Sequence, residues 1–166
     1  MSYRFEEQFY RVKRFFDRIQ DKEQIRTDYE DNLWSFFQNC WHLKDWIKND
    51  PGVPSSVSSA IEDAVNEYES LMICADLANR SKHLKLQRVR LDATMPGRYI
   101  VATINETISA QKPSAATSVI SWDYKITLQD GSECWAMDVA EQAIADWETL
   151  INKLNLCGNS LQRIEI

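Results

Sequence analysis

The sequence predicts an α+β fold, with a core like a four-helix bundle that carries an inserted antiparallel β-meander. Apolar residues recur every three or four positions over about residues 1–84 and 138–155, as they do in amphipathic helices. Over about residues 85–137 the period is two, as in strands. Strands and helices do not alternate, so no parallel sheet is indicated. We expect a single domain, residues 1–166, with three N-terminal helices, about four strands and one C-terminal helix.

Large apolar side chains form a stripe along each of the first two predicted helices. The first helix, over about residues 3–20, carries Phe5, Phe9, Val12, Phe16 and Ile19. The second stripe, which tryptophans widen, contains Leu33, Phe36, Phe37, Cys40, Leu43 and Ile47. Proline cannot continue a helical hydrogen-bond pattern, so the run Asn49-Asp50-Pro51-Gly52 should end the second helix.

The remaining two helices are predicted on either side of the strand region. The third helix opens at Pro54-Ser55-Ser56, where serine can cap the first turn, and its helical period continues to about His83. The last helix begins near Asp138 and ends before Gly158, since glycine favours the position after a helix. A bundle completed by this last helix, with the sheet as a lateral insertion, buries all four apolar stripes.

The strand region divides at residues that favour turns. Strands are expected near residues 85–91, 99–104, 120–128 and 133–137, because apolar and polar residues alternate there or β-branched residues cluster. Met95-Pro96-Gly97 should form a turn, and residues 109–117 should form a surface loop. Asp130-Gly131 suits a two-residue hairpin turn between the last two strands.

Charge and hydropathy limit the classes of protein. The chain has 25 acidic and 19 basic residues and a net charge of −6, so it lacks the broad positive field of a non-specific nucleic-acid binder. Any contact with nucleic acid would have to be local. No apolar run reaches the ~18 residues that span a bilayer, and the N-terminus has no apolar signal segment. We expect a cytoplasmic protein without a membrane partner.

A group of ionisable and amide side chains at the end of the third predicted helix could carry chemistry. Asp76, Asn79, Arg80 and His83 are three or four residues apart and therefore share a face. His83 could act as a general base near neutral pH, Arg80 and Lys82 could hold a phosphate, and Asn79 could orient them. The alternative is structural, because cationic side chains are also favoured at the C-terminal end of a helix by its dipole.

A second polar set lies on the second helix and consists of Gln38, His42, Asp45 and Asn49. If the second and third helices pack antiparallel, this set should lie at the opposite end from His83, as a solvated helix face.

A zinc site made from Cys40, His42, Cys74 and His83 is chemically conceivable, but no C-x-x-C or H-x₃-H spacing supports it. Cys40 and Cys74 fall in apolar stripes, where a free thiol packs as a small hydrophobic group. We expect reduced cysteines, no metal and no cofactor.

The run Asn79-Arg80-Ser81-Lys82-His83, at the end of a helix in a helical bundle, resembles the HEPN-like superfamily of small prokaryotic domains. Active members carry an Arg and a His on one helix, four to six residues apart, often with a polar residue after the Arg. In this chain two residues separate Arg80 from His83, and Ser81 follows Arg80. The resemblance covers about residues 1–84 and 138–155, and the β-meander lies outside it.

The resemblance implies metal-independent RNA cleavage by a homodimer, in RNA processing or as a defence or toxin activity. It implies that His83 acts as the acid or base on the ribose 2′-hydroxyl or the leaving oxygen, and that Arg80 stabilises charge on the phosphate. Lys82 and Asn79 would position the RNA backbone. The competing hypothesis is a non-catalytic domain that binds a protein partner or a second copy of itself, for example by pairing along a strand such as residues 117–128.

Overall fold

The computed structural model describes residues 4–21, 24–82, 90–105 and 117–156, and it describes their side chains except in 96–105 and 117–122. The elements, in chain order, are α1 Phe5–Gln20, α2 Arg26–Asn49, α3 Ser55–Val65, α4 Glu69–Arg80, β1 Thr94–Asn105, β2 Thr117–Thr127, β3 Glu133–Trp135 and α5 Ala136–Lys153. The strands form an antiparallel sheet in the order β1-β2-β3. The predicted α+β class is confirmed.

The segment predicted as the third helix forms two helices, α3 and α4. The described chain therefore has four helices before the sheet, and the expectation of three was wrong. The break lies at Asn66–Tyr68, where Tyr68 has extended backbone angles of φ −114° and ψ 116°. The Asn66 side-chain amide donates to the carbonyl of Glu62 at 2.6 Å, and its oxygen accepts from Arg90 Nε at 3.0 Å. Asparagine favours helix ends because its side chain competes for backbone groups.

The meander of about four strands is not confirmed, since the described residues contain three. The predicted strand at 85–91 falls largely on residues outside the described ranges, and Arg90 and Leu91 lie in a loop before β1. Met95-Pro96-Gly97 does not form a turn between strands: it lies inside β1, where the pairing with β2 shifts register between Thr94 and Gly97. Proline has no N–H to donate to a sheet, which suits such an irregularity.

The predicted hairpin between β2 and β3 is confirmed, with a longer loop than expected. Gly131 N–H donates to the carbonyl of Leu128 at 3.0 Å, and Leu128 N–H donates to the carbonyl of Ser132 at 2.9 Å. Three residues therefore lie between Leu128 and Ser132. Gly131 has φ +82°, which glycine adopts without steric cost. The last helix starts at Ala136, directly after β3 and two residues earlier than predicted.

The core lies among the helices and against the inner face of β2. Trp147 of α5 is fully buried and donates its indole N–H to the carbonyl of Cys40 in α2 at 3.2 Å. Tyr124 and Ile126 of β2 are buried as well, and Tyr124 stacks on Tyr29 of α2 with ring centroids 5.9 Å apart. These contacts fix α2 as the central helix. None of the described helices is both long and apolar enough to cross a bilayer.

Candidate functional site at the junction of α2 and α4

Asp76 is a fully buried carboxylate on α4 that holds the loop leading into β1. It accepts hydrogen bonds from the backbone N–H groups of Leu91 at 2.8 Å, Arg90 at 3.2 Å and Ala93 at 3.4 Å. Burial of a carboxylate is costly unless charge-assisted hydrogen bonds replace water, and these backbone donors supply them. Asp76 therefore attaches the loop to the helix.

Arg80 lies one turn after Asp76 and binds the same loop. Its Nε donates to the carbonyl of Ala93 at 2.9 Å, and its guanidinium forms an ion pair with Asp92. Asp92 has φ +51°, a left-handed conformation that aspartate tolerates better than most residues. We call the set of Asp76, Arg80 and residues 90–93 the α4 clasp. No local sequence pattern indicated these partners, which are 12 to 17 residues away along the chain.

Polar side chains of α2 meet the end of α4. The Gln38 amide donates to Ser81 Oγ at 2.9 Å, and Lys82 Nζ lies 2.8 Å from His42 Nε2. The expectation that the α2 set lies at the opposite end from the α4 cluster was therefore wrong. The reason is that α2 runs from Arg26 to Asn49, so that Gln38 and His42 lie in its middle, and the shorter α4 ends beside them.

His42 is held as a neutral imidazole by its surroundings. Burial lowers its pKa from the ordinary value of 6.5, and the nearby ammonium of Lys82 lowers it further, against the opposing effect of Asp45. An ammonium can only donate, so His42 Nε2 accepts from Lys82 and its ring proton resides on Nδ1. The pair combines a base that is unprotonated at neutral pH with an adjacent cation.

Other cations surround Trp41, which precedes His42. The guanidinium of Arg90 lies 4.5 Å and the ammonium of Lys44 lies 4.6 Å from the centroid of its ring. Lys44 also forms an ion pair with Asp45 at 2.6 Å. Cations over an indole ring are attracted by its negative π face. The buried Trp41 ring thus holds two positive side chains, of which Lys44 is near enough to lower the pKa of His42.

An open groove of about 590 Å³ continues along the same side of α2, and its lining includes Arg11, Asp45, Trp46, Asn49 and Asp50. The guanidinium of Arg11 lies 5.6 Å from the centroid of Trp46. The Asp50 carboxylate, which also lines the groove, already accepts hydrogen bonds from Phe5 N–H at 2.9 Å and from Gly52 N–H at 2.7 Å. The contribution of Arg11 from α1 was not predictable from the α2 pattern.

The described residues contain no group of three or more His, Cys, Asp or Glu side chains that could hold a metal ion. Cys40 and Cys74 are fully buried with free thiols, as their positions in the apolar stripes predicted. Burial raises the pKa of the Cys74 thiol well above its ordinary value, which keeps that thiol protonated.

Three of the four predicted site residues lie within the described chain. Arg80 belongs to the α4 clasp, and Lys82 contacts His42. Asn79 is half-buried on the last turn of α4, and its carbonyl accepts from Lys82 N–H at 3.2 Å. His83 lies outside the described residues. Their roles in catalysis or substrate binding stay predictions, and the structure adds His42 to the group.

Comparison with known proteins gives no family assignment. None of the family models, curated proteins or solved structures with which the chain was compared matches it. The resemblance to HEPN-like domains therefore stays a prediction from the sequence.

Proposed function

We propose that the chain cleaves RNA without a metal ion at the junction of α2 and α4. The observation that carries this proposal is the distance of 2.8 Å between His42 Nε2 and Lys82 Nζ. A neutral imidazole can remove a proton, and an ammonium can stabilise the negative charge that develops on a phosphate. The pair offers both at one place.

In the proposed reaction, a phosphate oxygen replaces His42 as the acceptor for Lys82, which leaves Nε2 of His42 free to act as the base. Nε2 takes the proton of the ribose 2′-hydroxyl while the 2′-oxygen forms a bond to phosphorus. The bond from phosphorus to the 5′-oxygen breaks, and that oxygen takes a proton from the acid, the role we propose for His83. The products are a 2′,3′-cyclic phosphate and a 5′-hydroxyl.

The sequence that follows α4 is locally basic in spite of the net charge of −6, which supports binding of a polyanion. Residues 80–90 contain no Asp or Glu, and their basic side chains are those of Arg80, Lys82, Lys85, Arg88 and Arg90. Such a segment attracts phosphates over a distance of about one Debye length, roughly 8 Å at physiological salt. Binding should therefore be local and should weaken as salt is raised.

Lys82, rather than Arg80, is the first phosphate contact that we propose. Arg80 already donates to Ala93 and pairs with Asp92, and its side chain is 27% exposed. Release of Arg80 toward RNA would break these contacts. Lys82, by contrast, is exposed and would only exchange His42 for a phosphate oxygen. Asn79, on the last turn of α4, would help to position the RNA backbone.

The chemistry can be tested with an RNA oligonucleotide and its 2′-deoxy analogue, each incubated with the protein and excess EDTA. The proposal predicts that the RNA is cut, that its products end in a 2′,3′-cyclic phosphate, and that the deoxy analogue stays intact. Cleavage of the analogue would show that the 2′-hydroxyl is not the nucleophile. Cleavage abolished by EDTA would overturn a metal-independent reaction.

A non-catalytic role in binding a protein partner or a second copy of the chain is the second candidate. The sequence suggests this alternative, because β2, Thr117–Thr127, is a long strand of alternating apolar and polar residues, and such strands can pair with a strand of another chain.

Light scattering tests this second candidate, together with recovery of complexes from a lysate. A stable dimer or complex that survives His42→Gln supports it, because that substitution lies on α2 and leaves the strands unchanged. A monodisperse monomer that recovers no partner would contradict it.

A further inference from the structure

We propose that the groove at Trp46 binds a nucleobase of the RNA, next to the phosphate that Lys82 holds. This inference rests on the proposed function, because it assigns the neighbouring nucleotide of the same substrate. Most of the groove lining and His42 lie on α2, and Asp45 connects the two places, because it lines the groove and also raises the pKa of His42.

The spacing along α2 suits adjacent parts of one nucleotide chain. His42 and Trp46 are four residues apart, so they share a face and are separated by about 6 Å along the helix axis. Asp45 and Asn49 lie on this face at three- and seven-residue intervals from His42. A strand whose phosphate contacts Lys82 would need to follow α2 for only one turn to reach the groove.

The chemistry of the lining fits a flat polar ring better than it fits a phosphate. Trp46 offers a half-buried indole surface, and aromatic side chains stack on bases of any sequence. Arg11, Asp45 and Asn49 already contact Gln8, Lys44 and the Asp45 carbonyl respectively, and their further donors and acceptors could meet the edge of a base. The carboxylates of Asp45 and Asp50 would repel a phosphate, which would instead lie near Lys82.

The volume also suits such a ligand. Pockets for small organic molecules usually measure about 300–1,000 Å³, and this groove measures about 590 Å³. It is open along one side, as it must be if the base belongs to a longer strand. Arg11 of α1 borders the groove, and its guanidinium, 5.6 Å from the Trp46 centroid, lies in position to contact a base bound there.

Calorimetric titration with AMP and with ribose 5-phosphate separates binding of the base from binding of the phosphate. We expect AMP to bind at least tenfold more tightly than ribose 5-phosphate, because stacking on an aromatic side chain is worth about 1–3 kcal/mol. Trp46→Leu should remove this difference. Trp34→Leu is the matched control, since Trp34 is another half-buried tryptophan of α2 and lies twelve residues away; it should leave AMP binding unchanged.

Asn49→Ala gives a second variant that should fold normally, because Asn49 is exposed. It should weaken the binding of AMP severalfold and leave the binding of ribose 5-phosphate unchanged.

Equal affinities for the two ligands in the unmodified protein, or AMP binding that is unchanged in both Trp46→Leu and Asn49→Ala, would overturn the inference. AMP has no internucleotide bond, so its binding is independent of cleavage. If AMP binds at Trp46 but RNA stays intact, the base site is supported and the proposed function is wrong. If RNA is cut but the protein binds AMP no more tightly than ribose 5-phosphate, the proposed function is supported and the base site is wrong.

Discussion

Lys82 Nζ lies 2.8 Å from His42 Nε2, and this contact joins the end of α4 to the middle of α2. Two groups that both carry a positive charge when protonated would repel each other at this distance, so the contact requires one of them to be neutral. Burial and the ammonium both lower the pKa of His42, which makes the imidazole the neutral partner. The electrostatic state of this pair underlies the proposed chemistry and several of its tests.

Removal of the ammonium should raise the pKa of His42. Lys82→Met keeps much of the aliphatic side chain and eliminates the charge, so the remaining effects are burial, Asp45 and Lys44. NMR titration of the His42 ring protons measures the shift. Lys153→Met serves as the control, because Lys153 is exposed and pairs with Glu67. A His42 pKa that is the same in Lys82→Met and in the unmodified protein would contradict the assigned contact.

The folded protein should lose stability as the pH falls below about 6.5, in part through His42. Its pKa is lowered in the folded state, so the unfolded chain binds more protons in the interval between the folded value and the ordinary value of 6.5. The free energy of unfolding therefore decreases as the pH falls through that interval. In His42→Gln this contribution should disappear, which urea unfolding at a series of pH values can measure. An identical pH dependence in the variant would show that His42 is not responsible.

Asp76→Asn should destabilise the fold strongly. The substitution removes the charge that strengthens the bonds from three backbone N–H groups, and it places an amide N–H group against the N–H of Arg90, in a position with no access to solvent. We expect a loss of about 2–4 kcal/mol in the free energy of unfolding. Urea denaturation measures it, with Asp63→Asn on the exposed face of α3 as the control. A loss no larger than that of the control would mean that the α4 clasp contributes little to stability.

Arg80 distinguishes the structural and catalytic interpretations of the cluster on α4. Arg80→Ala removes the bond to Ala93 and the ion pair with Asp92, and should lower the free energy of unfolding by about 1–2 kcal/mol. If RNA is cleaved, the rate for this variant at a temperature where it remains folded should fall much less than that for His42→Gln. If Arg80→Ala abolishes RNA cleavage but leaves the free energy of unfolding unchanged, Arg80 has instead the phosphate-binding role that the family resemblance implies.

The sequence predicted those parts of the fold whose causes are local. The stripe from Phe5 to Ile19 and the run at Asn49-Asp50-Pro51-Gly52 gave α1 and the end of α2 closely. The break between α3 and α4 was missed because Asn66 is also bound by Arg90, a residue 24 positions away. Pro96 was interpreted as part of a turn, since the long pairing of β1 with β2 that accommodates it is not visible locally.

The candidate site was also predicted only in its local features. Helical spacing correctly placed Asp76 and Arg80 near each other, because residues four apart share a face. It could not give their shared partner, the loop at residues 90–93, nor the approach of His42 to Lys82, since both depend on tertiary packing. His42 was noted only as part of a solvated helix face and of a zinc site that the residue spacing did not support. The only signal of the pair in the sequence is that a lone histidine on α2 and a lysine after α4 carry complementary chemistry.

The role of His42 as the base is best measured by the rate of RNA cleavage in the presence of EDTA, compared between the unmodified protein and His42→Gln. We expect the unmodified protein to cleave RNA and the variant to cleave it at least about 100-fold more slowly, the usual contribution of a general base, with no change in the urea unfolding midpoint at pH 7.5. Intact RNA after incubation with the unmodified protein, or equal rates in the two proteins, would contradict it.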